Sequence, residues 1–529
     1  MSAPTTSGNH PPREQFSGQV GFILSAIGSA VGLGNIWRFP GVAYENGGGA
    51  FLIPYVIALL TAGIPILFLD YALGHRFRGG PPTVFRRVKR WLETLGWFQV
   101  MICFVIAIYY AAIIGWALSY FVYSFDLSWG DDTAGFFTGD YLQLSDTANG
   151  GAWFTLDFVP AVLIPLVLVW LAAIVVLVAG VAKGIQRANV VFLPLLVVAF
   201  GILVVRSLFL DGAVDGLNEF FTPNWTALGD PNVWIAAYSQ IFFSLSVAFG
   251  IMITYASYRK RRANLTSPGL VVAFSNSGFE LLAGIGVFSA LGFLAHEQGV
   301  AVGDLEGISG PILSFVTFPA VVSQMPAGPL FGALFFGSLA MAGFTSLISI
   351  LQVVSASFQE KFALRRQTAA LWIGVVCAVL SVVGFSTTTG LFALDTIDNW
   401  SNNIGIVASA VLMCVFIVWA LRRGPELRYH VNAISTFQVG RWWYACVGVI
   451  VPAVLAYMLV ERIITLVEEP YEGYDPTYLL YVGWGTLVVL VVGAIALSLP
   501  RWRRDPEDFV AWPPFPSSSA TTTSKEAAR

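Results

Sequence analysis

Charge is what this chain has least of. Only 11% of its 529 residues are Asp, Glu, Lys or Arg, whereas soluble domains carry about 25%. Set against a hydrophobic content of 56%, that deficit excludes an ordinary soluble domain and points to a polytopic membrane protein. Cysteine and histidine are equally scarce, four of each. Cys103, Cys377, Cys414 and Cys446 all fall in apolar stretches without metal-ligand spacing. They read as buried free thiols, not as a disulfide framework. The histidines, His75, His296 and His430 among them, sit at the ends of apolar runs or in tails, which suits no metal cluster. No Ser/His/Asp set or metal constellation converges, so an enzyme is not expected. No short apolar segment of signal-peptide type follows the polar start Met1–Pro12, so no cleavable signal is expected, and the first long apolar run would direct insertion. The net charge of −3 says nothing about partners; no nucleic acid is expected among them, and nothing requires an oligomer. The Ser/Thr/Pro-rich end, Pro513–Arg529, reads as disordered.

What the chain does have is hydrophobic runs. They recur at 18–44, 50–74, 96–125, 160–180, 188–210, 233–256, 267–295, 330–358, 368–386, 391–421, 442–464 and 476–499, each near the ~20 residues that cross a bilayer. Alternate connections are basic: Arg76, Arg78, Arg86, Arg87, Lys89 and Arg90; Lys183 and Arg187; Arg259, Lys260, Arg261 and Arg262; Lys361, Arg365 and Arg366; Arg422, Arg423, Arg428 and Arg441. The intervening ones carry acids such as Asp126, Asp131, Asp132, Asp211, Asp215, Glu468 and Glu469. Lys and Arg concentrate in short cytoplasmic loops. The pattern therefore predicts twelve spans in a plasma or inner membrane, with both termini cytoplasmic.

Two spans are odd. The first contains Gly28-Ser29-Ala30-Val31-Gly32-Leu33-Gly34-Asn35-Ile36-Trp37-Arg38-Phe39-Pro40. Glycines near mid-depth, followed by Asn and Arg, free backbone groups that lipid cannot satisfy. Two readings stand here: a broken helix whose loose carbonyls and amides form a site, or a kinked helix whose small residues serve packing. The sixth span repeats the oddity, with Ser244, Ser246 and Gly250 inside an apolar run. If spans 1–5 and 6–10 are two repeats, an odd number of spans inverts the second copy. Interrupted spans at matching positions of two halves point to a transporter's binding site.

These residues resemble the neurotransmitter:sodium symporter family. The likeness is carried by Gly32-Leu33-Gly34-Asn35-Ile36-Trp37-Arg38-Phe39-Pro40, by Glu45-Asn46-Gly47-Gly48-Gly49-Ala50-Phe51 with Pro54-Tyr55, and by Ala107-Ile108-Tyr109-Tyr110. It continues through Trp234-Ile235-Ala236-Ala237 to Gly250, Ile253–Tyr258 and Ala342-Gly343-Phe344-Thr345-Ser346. It implies an all-α membrane protein of the bacterial leucine-transporter type: a 5+5 inverted repeat with broken helices 1 and 6, plus two peripheral helices. The expected divisions are a cytoplasmic N-terminal tail (1–17), a first repeat (18–210), a second repeat (211–421), helices 11 and 12 (422–499) and a cytoplasmic C-terminal tail (500–529).

The resemblance also implies two Na⁺ ions, hard cations that want about six oxygens. The first would take the Ala30 carbonyl and the side chains of Asn35, Ser244 and Asn276. The second would take carbonyls of Gly28, Val31 and Ala342 with the hydroxyls of Thr345 and Ser346. From the residues alone, the last two hydroxyls could equally bond their own helical turn. A substrate carboxylate would meet the amides of Leu33 and Gly34 and the Tyr110 hydroxyl, and its amino group the carbonyls of Ala30, Phe243 and Ser246. The side-chain pocket would comprise Ile106, Phe243, Phe249, Ser346 and Ile350, with Ser29 nearby. Amine-transporting members have Asp where this chain has Gly32, so the substrate should bring its own carboxylate. Ala248 departs from a glycine common in the sixth-span break; its methyl group could shrink the pocket or stiffen the break, which leaves the preferred substrate size open.

Arg38 and Asp398 are expected to close an outer gate through water, with Phe243 and Tyr110 beneath. Arg13 and Glu360 are expected to close the inner one, or else to be ordinary solvated loop charges. Asp70 should brace the first-span break. Animal members commonly hold Cl⁻ with residues matching Tyr55, Gln240, Ser244 and Asn276 and a seventh-span serine. That serine position is Glu280 here, whose fixed charge could replace chloride; the same acid could carry a proton on the empty return step. The reading is a Na⁺-coupled, chloride-independent symporter of neutral hydrophobic L-amino acids. A channel lacks its continuous polar stripe, a proton-coupled carrier of this fold would lack the sodium oxygens, and a zwitterionic osmolyte fits an apolar pocket poorly.

Overall fold

The computed structural model describes residues 14–145, 153–305, 308 and 310–515; Arg13 and most of the two tails lie outside them. The long helices and the pieces of the two interrupted spans are α1 (Gln19–Ala30), α2 (Gly34–Glu45), α3 (Leu52–Phe77), α4 (Arg90–Tyr123), α5 (Pro160–Ala179), α6 (Val181–Ser207), α7 (Pro231–Ser244), α8 (Ile251–Ser257), α9 (Thr266–Gln298), α10 (Gly328–Phe362), α11 (Arg366–Phe385), α12 (Gly390–Ala420), α13 (Arg441–Gly473) and α14 (Pro476–Ser498); shorter helices such as Pro81–Val88, Ala213–Phe221 and Gly424–Ile434 lie in the connections. Among the described residues ten of these are long and apolar enough to cross a membrane, and α1 with α2, bent by 55°, makes eleven. The expected sixth span is two helices, α7 of 14 residues and α8 of 7. Twelve spans are reached only by counting that pair as one. No sheet occurs among the described residues, only two isolated backbone bridges.

Both breaks have a backbone cause. Val31 leaves α1 with ψ 98°, which no helical residue adopts. Between α7 and α8, Ser246, Ala248 and Gly250 have φ of 53°, 67° and 99°, the left-handed region a right-handed helix cannot contain. The most apolar windows of α4, α9 and α10 are 89%, 78% and 78% buried, whereas those of α5 and α14 are 33% and 28%. The first three therefore form the interior beside the broken helices. The others present Leu168, Leu171, Val175, Val488 and Val492 outward, as lipid contact requires.

The described part of the C-terminal tail is held by the loops of the basic face, including Pro513 at the start of the stretch expected to be disordered. The Arg87 Nε–H donates to the Pro506 carbonyl (2.6 Å) and the Arg76 Nη1–H to that of Pro513 (3.1 Å). Glu507 lies 3.2 Å from Arg86, the Arg87 guanidinium covers the Phe509 ring at 4.2 Å, and Phe515 meets Tyr429. Arginine-on-aromatic contacts of this kind are favourable, so residues 501–515 lie on the basic face instead of trailing away from it.

Candidate functional site

The two breaks meet. The Ser246 hydroxyl donates to the Ser29 carbonyl (3.0 Å). A β-carbon on Gly34 would lie 2.2 Å from the Phe243 ring, and one on Gly32 would lie 2.6 Å from Ser346 Oγ and 2.8 Å from the Tyr110 hydroxyl. Glycine at both positions thus follows from close approach. The freed amides have partners: Gly32 N–H donates to Asn35 Oδ1 (2.8 Å) and Leu33 N–H to the Tyr110 oxygen (3.1 Å). Ile106, Phe249 and Ile350 are buried and supply apolar surface.

Two groups of buried oxygens flank this junction. In the first, Asn35 Nδ2 donates to Asn276 Oδ1 (2.9 Å) and Asn276 Nδ2 to Ser244 Oγ (3.1 Å). Three elements distant in sequence are joined there, and all three side chains are at most 2% exposed. In the second, Ser346 Oγ donates to the carbonyls of Ser29 (3.1 Å) and Gly28 (3.5 Å), tying α10 to α1. The Thr345 hydroxyl donates to the Ala342 carbonyl (3.0 Å) within its own turn. The donor chemistry, neutral amide, hydroxyl and carbonyl oxygens, fits a hard monovalent cation.

Glu280, fully buried, accepts from Gln240 Nε2 (2.6 Å) and from the Tyr55 hydroxyl, which also meets Ser277 (2.9 Å). Gln240 Nε2 lies 3.5 Å from the Gly34 carbonyl, so this carboxylate is two contacts from the first break.

Arg38 and Asp398, the residues expected at the outer gate, are each held by other side chains. Arg38 Nη2 donates to Ser239 Oγ and Asn403 Oδ1 (both 3.4 Å), and its guanidinium sits 4.5 Å over the Phe243 ring. Asp398 accepts from Asn402 Nδ2 (2.7 Å). At the basic face Glu360 accepts Gly80 N–H (2.9 and 3.2 Å) and the Thr83 hydroxyl; Arg13, its expected partner, is outside the described residues. Phe16 packs edge-on against Tyr255 and Tyr258.

Asp70 requires a correction: it braces the sixth-span break. Its Oδ2 accepts Ala248 N–H (2.9 Å), because α3 packs closely on α8, where a β-carbon on Gly74 would lie 1.9 Å from the Ile253 carbonyl oxygen. The Ala248 carbonyl accepts from Gln99 Nε2 (2.9 Å) and Ser409 Oγ (2.6 Å), and the Phe249 carbonyl from the Cys103 thiol (3.1 Å). Gln99, Ser409, Ser239 and Asn403 were not singled out from sequence. Their signal was a polar residue inside or beside an apolar run, which is costly unless employed.

An all-helical bundle with two broken helices facing each other across buried oxygens defines a secondary transporter. The chain matches the sodium:neurotransmitter symporter family over residues 13–150 and 130–504, and it belongs to that family, whose members are sodium-coupled transporters and not enzymes. It is 36% identical over 494 residues to an uncharacterized sodium-dependent transporter of Methanocaldococcus jannaschii, spanning 93% of this chain and 98% of that one. It is 31% identical over 522 residues to the sodium- and chloride-dependent creatine transporter 1 of Homo sapiens (90% and 80% covered). The crystal structure of MhsT in complex with L-phenylalanine superposes with a TM-score of 0.72 at 31% identity, covering 85% of this chain and 99% of that chain. The fold is thus of the leucine-transporter type in a multi-pass, sodium-dependent membrane transporter.

Proposed function

We propose that this protein moves neutral, hydrophobic L-amino acids into the cell with two Na⁺ ions and without chloride. The observation that carries the substrate class is Gly32: this position offers no side-chain carboxylate, so the substrate must bring its own, and the lining beyond it (Ile106, Phe243, Phe249, Ile350) is apolar. The Leu33 and Gly34 amides and Tyr110 would receive that carboxylate, and the carbonyls of Ala30, Phe243 and Ser246 the ammonium. The first ion would use Ala30, Asn35, Ser244 and Asn276, with the substrate carboxylate beside it, so that ion and substrate bind together. The second would use Gly28, Val31, Ala342, Thr345 and Ser346. Glu280 would supply the negative charge that chloride supplies elsewhere. The repeats, residues 18–210 and 211–421, would alternate access, gated by Arg38 and Asp398 outside and by Glu360 with Arg13 inside. The basic face would be cytoplasmic, placing both termini inside a plasma or inner membrane.

The likeness to a creatine transporter favours a second reading, a zwitterionic osmolyte as substrate; the apolar lining argues against it. Uptake of labelled amino acids and creatine into proteoliposomes, with and without a Na⁺ gradient, separates the two. Na⁺-driven uptake of leucine or phenylalanine but not creatine is expected; the reverse order would overturn the proposal.

A further inference from the structure

Helix α6 is apolar for most of its length, and its buried stripe runs Ile185, Asn189, Leu193, Leu196, Phe200. Asn189 is the polar member, and it is fully buried. Its Nδ2 donates to the Ile185 carbonyl (2.8 Å), while its Oδ1 has no hydrogen-bond partner. Exchanging the two ends of the amide would set oxygen against the carbonyl oxygen, so Oδ1 is the end left facing outward from α6. An unpartnered buried acceptor is expensive, and something must repay it.

What Oδ1 faces is α1. Gly21, Ser25 and Gly28 share one side of that helix. β-carbons on Gly21 and Gly28 would meet Gln186 and Asn189, the latter at 1.9 Å from Oδ1 and 3.5 Å from Thr345 Cβ. The amide oxygen therefore sits where α1, α6 and α10 converge, beside Gly28 and Thr345. Because a β-carbon leans toward the N-terminus of its helix, Oδ1 lies on the side of Gly28 nearer the start of α1, the basic face. The Ser25 hydroxyl, on the same side of α1, is likewise without a partner.

We infer that Asn189 Oδ1 is a further oxygen ligand of the second sodium ion, one contributed by α6 on the basic-face side of Gly28. The inference rests on the second-ion reading proposed above. Five oxygens are assigned to that ion, from Gly28, Val31, Ala342, Thr345 and Ser346, while a hard cation takes about six. Neutral amide oxygen is the right donor, and on the basic-face side it would be the last ligand released to the cytoplasm.

The test uses purified full-length protein without substrate, with thermal stability followed as Na⁺ replaces K⁺ at constant ionic strength. For Asn189→Ala, the half-stabilising Na⁺ concentration should rise about tenfold, as expected for loss of one charge-dipole contact. Stability in K⁺ alone should be equal or higher, because the orphan acceptor is gone. Asn189→Asp keeps the oxygen and adds charge, so it should need no more Na⁺ than the wild type. A wild-type Na⁺ curve in Asn189→Ala overturns the assignment. Should that variant not fold, an Asn189→Asp curve shifted to higher Na⁺ overturns it as well. A wild type indifferent to Na⁺ would sink the sodium assignment itself, a different outcome from failure at Asn189 alone.

Discussion

Replacing Glu280 by serine should convert chloride-independent transport into chloride-dependent transport. The carboxylate accepts two bonds, from Gln240 Nε2 at 2.6 Å and from the Tyr55 hydroxyl, and is fully buried. Serine is too short to meet both donors. Each buried donor left unpaired costs about 1–3 kcal/mol, and loss of the only carboxylate in this cluster adds to the cost of holding a cation nearby. A total near 3 kcal/mol corresponds to roughly a hundredfold loss of the ion-loaded form. One chloride between Tyr55 and Gln240 would accept both donors and restore the charge. The assay is Na⁺-driven amino-acid uptake into proteoliposomes with Cl⁻ or gluconate. Wild-type uptake should be the same in both; Glu280→Ser uptake should collapse in gluconate and recover in chloride. A wild type that fails in gluconate would falsify the role of Glu280. A folded Glu280→Ser protein indifferent to the anion would refute the substitution of one charge for the other.

Three further expectations follow from the geometry. Gly32→Asp should abolish amino-acid binding: its β-carbon would lie 2.6 Å from Ser346 Oγ, and a second carboxylate about 4 Å from the substrate's own adds about 4 kcal/mol of repulsion at an effective dielectric near 20. Binding of a labelled substrate to the purified variant decides it, and wild-type affinity would refute the placement of Gly32. Arg38→Ala and Asp398→Ala should each slow transport in a folded protein. Because the two groups bond adjacent residues, Arg38 to Asn403 and Asp398 to Asn402, the double mutant should show coupling of about 0.5 kcal/mol or more; strict additivity would remove the pair from the gate. Burial, with the Arg76 and Arg78 guanidiniums nearby, holds the pKa of His430 down at about 3. Its unfolded value is about 6.5, so the unfolded chain binds more protons and stability falls as pH drops through that window. The loss should be about 2 kcal/mol at pH 5. Thermal unfolding at pH 7.5 and pH 5 should show a smaller acid loss in His430→Gln than in wild type, and equal losses would refute it.

The fold was legible because it is written in windows of about twenty residues. Apolar run length and the alternation of basic and acidic connections need no tertiary information, and the breaks are marked by residues a helix holds poorly. Less legible were side chains whose partners lie far along the chain. Asp70 reads from sequence as a buried acceptor that braces the first break. Its partner, Ala248, is 178 residues away, and only the packing of α3 on α8 reveals it. Asn402 and Asn403 are not singled out by the sequence; the structure sets Asn403 against Arg38 and Asn402 against Asp398. The end Pro513–Arg529 reads as disordered from its composition, since Ser, Thr and Pro say nothing of where Phe515 finds Tyr429.

Ala248 shows how the two levels combine. From sequence, alanine in place of a common glycine leaves two readings open, a smaller pocket or a stiffer break. In the structure its φ is 67°, where a side chain costs about 1–2 kcal/mol. That cost is offset by its own peptide: the N–H bonds to Asp70, and the carbonyl accepts from both Gln99 and Ser409. Each such bond contributes about 0.5–1.5 kcal/mol net, so three of them outweigh the strain. The bonds come from three helices, α3, α4 and α12. The break in the sixth span is therefore fixed from outside itself, and the methyl is tolerated because three buried polar side chains leave the backbone no better conformation.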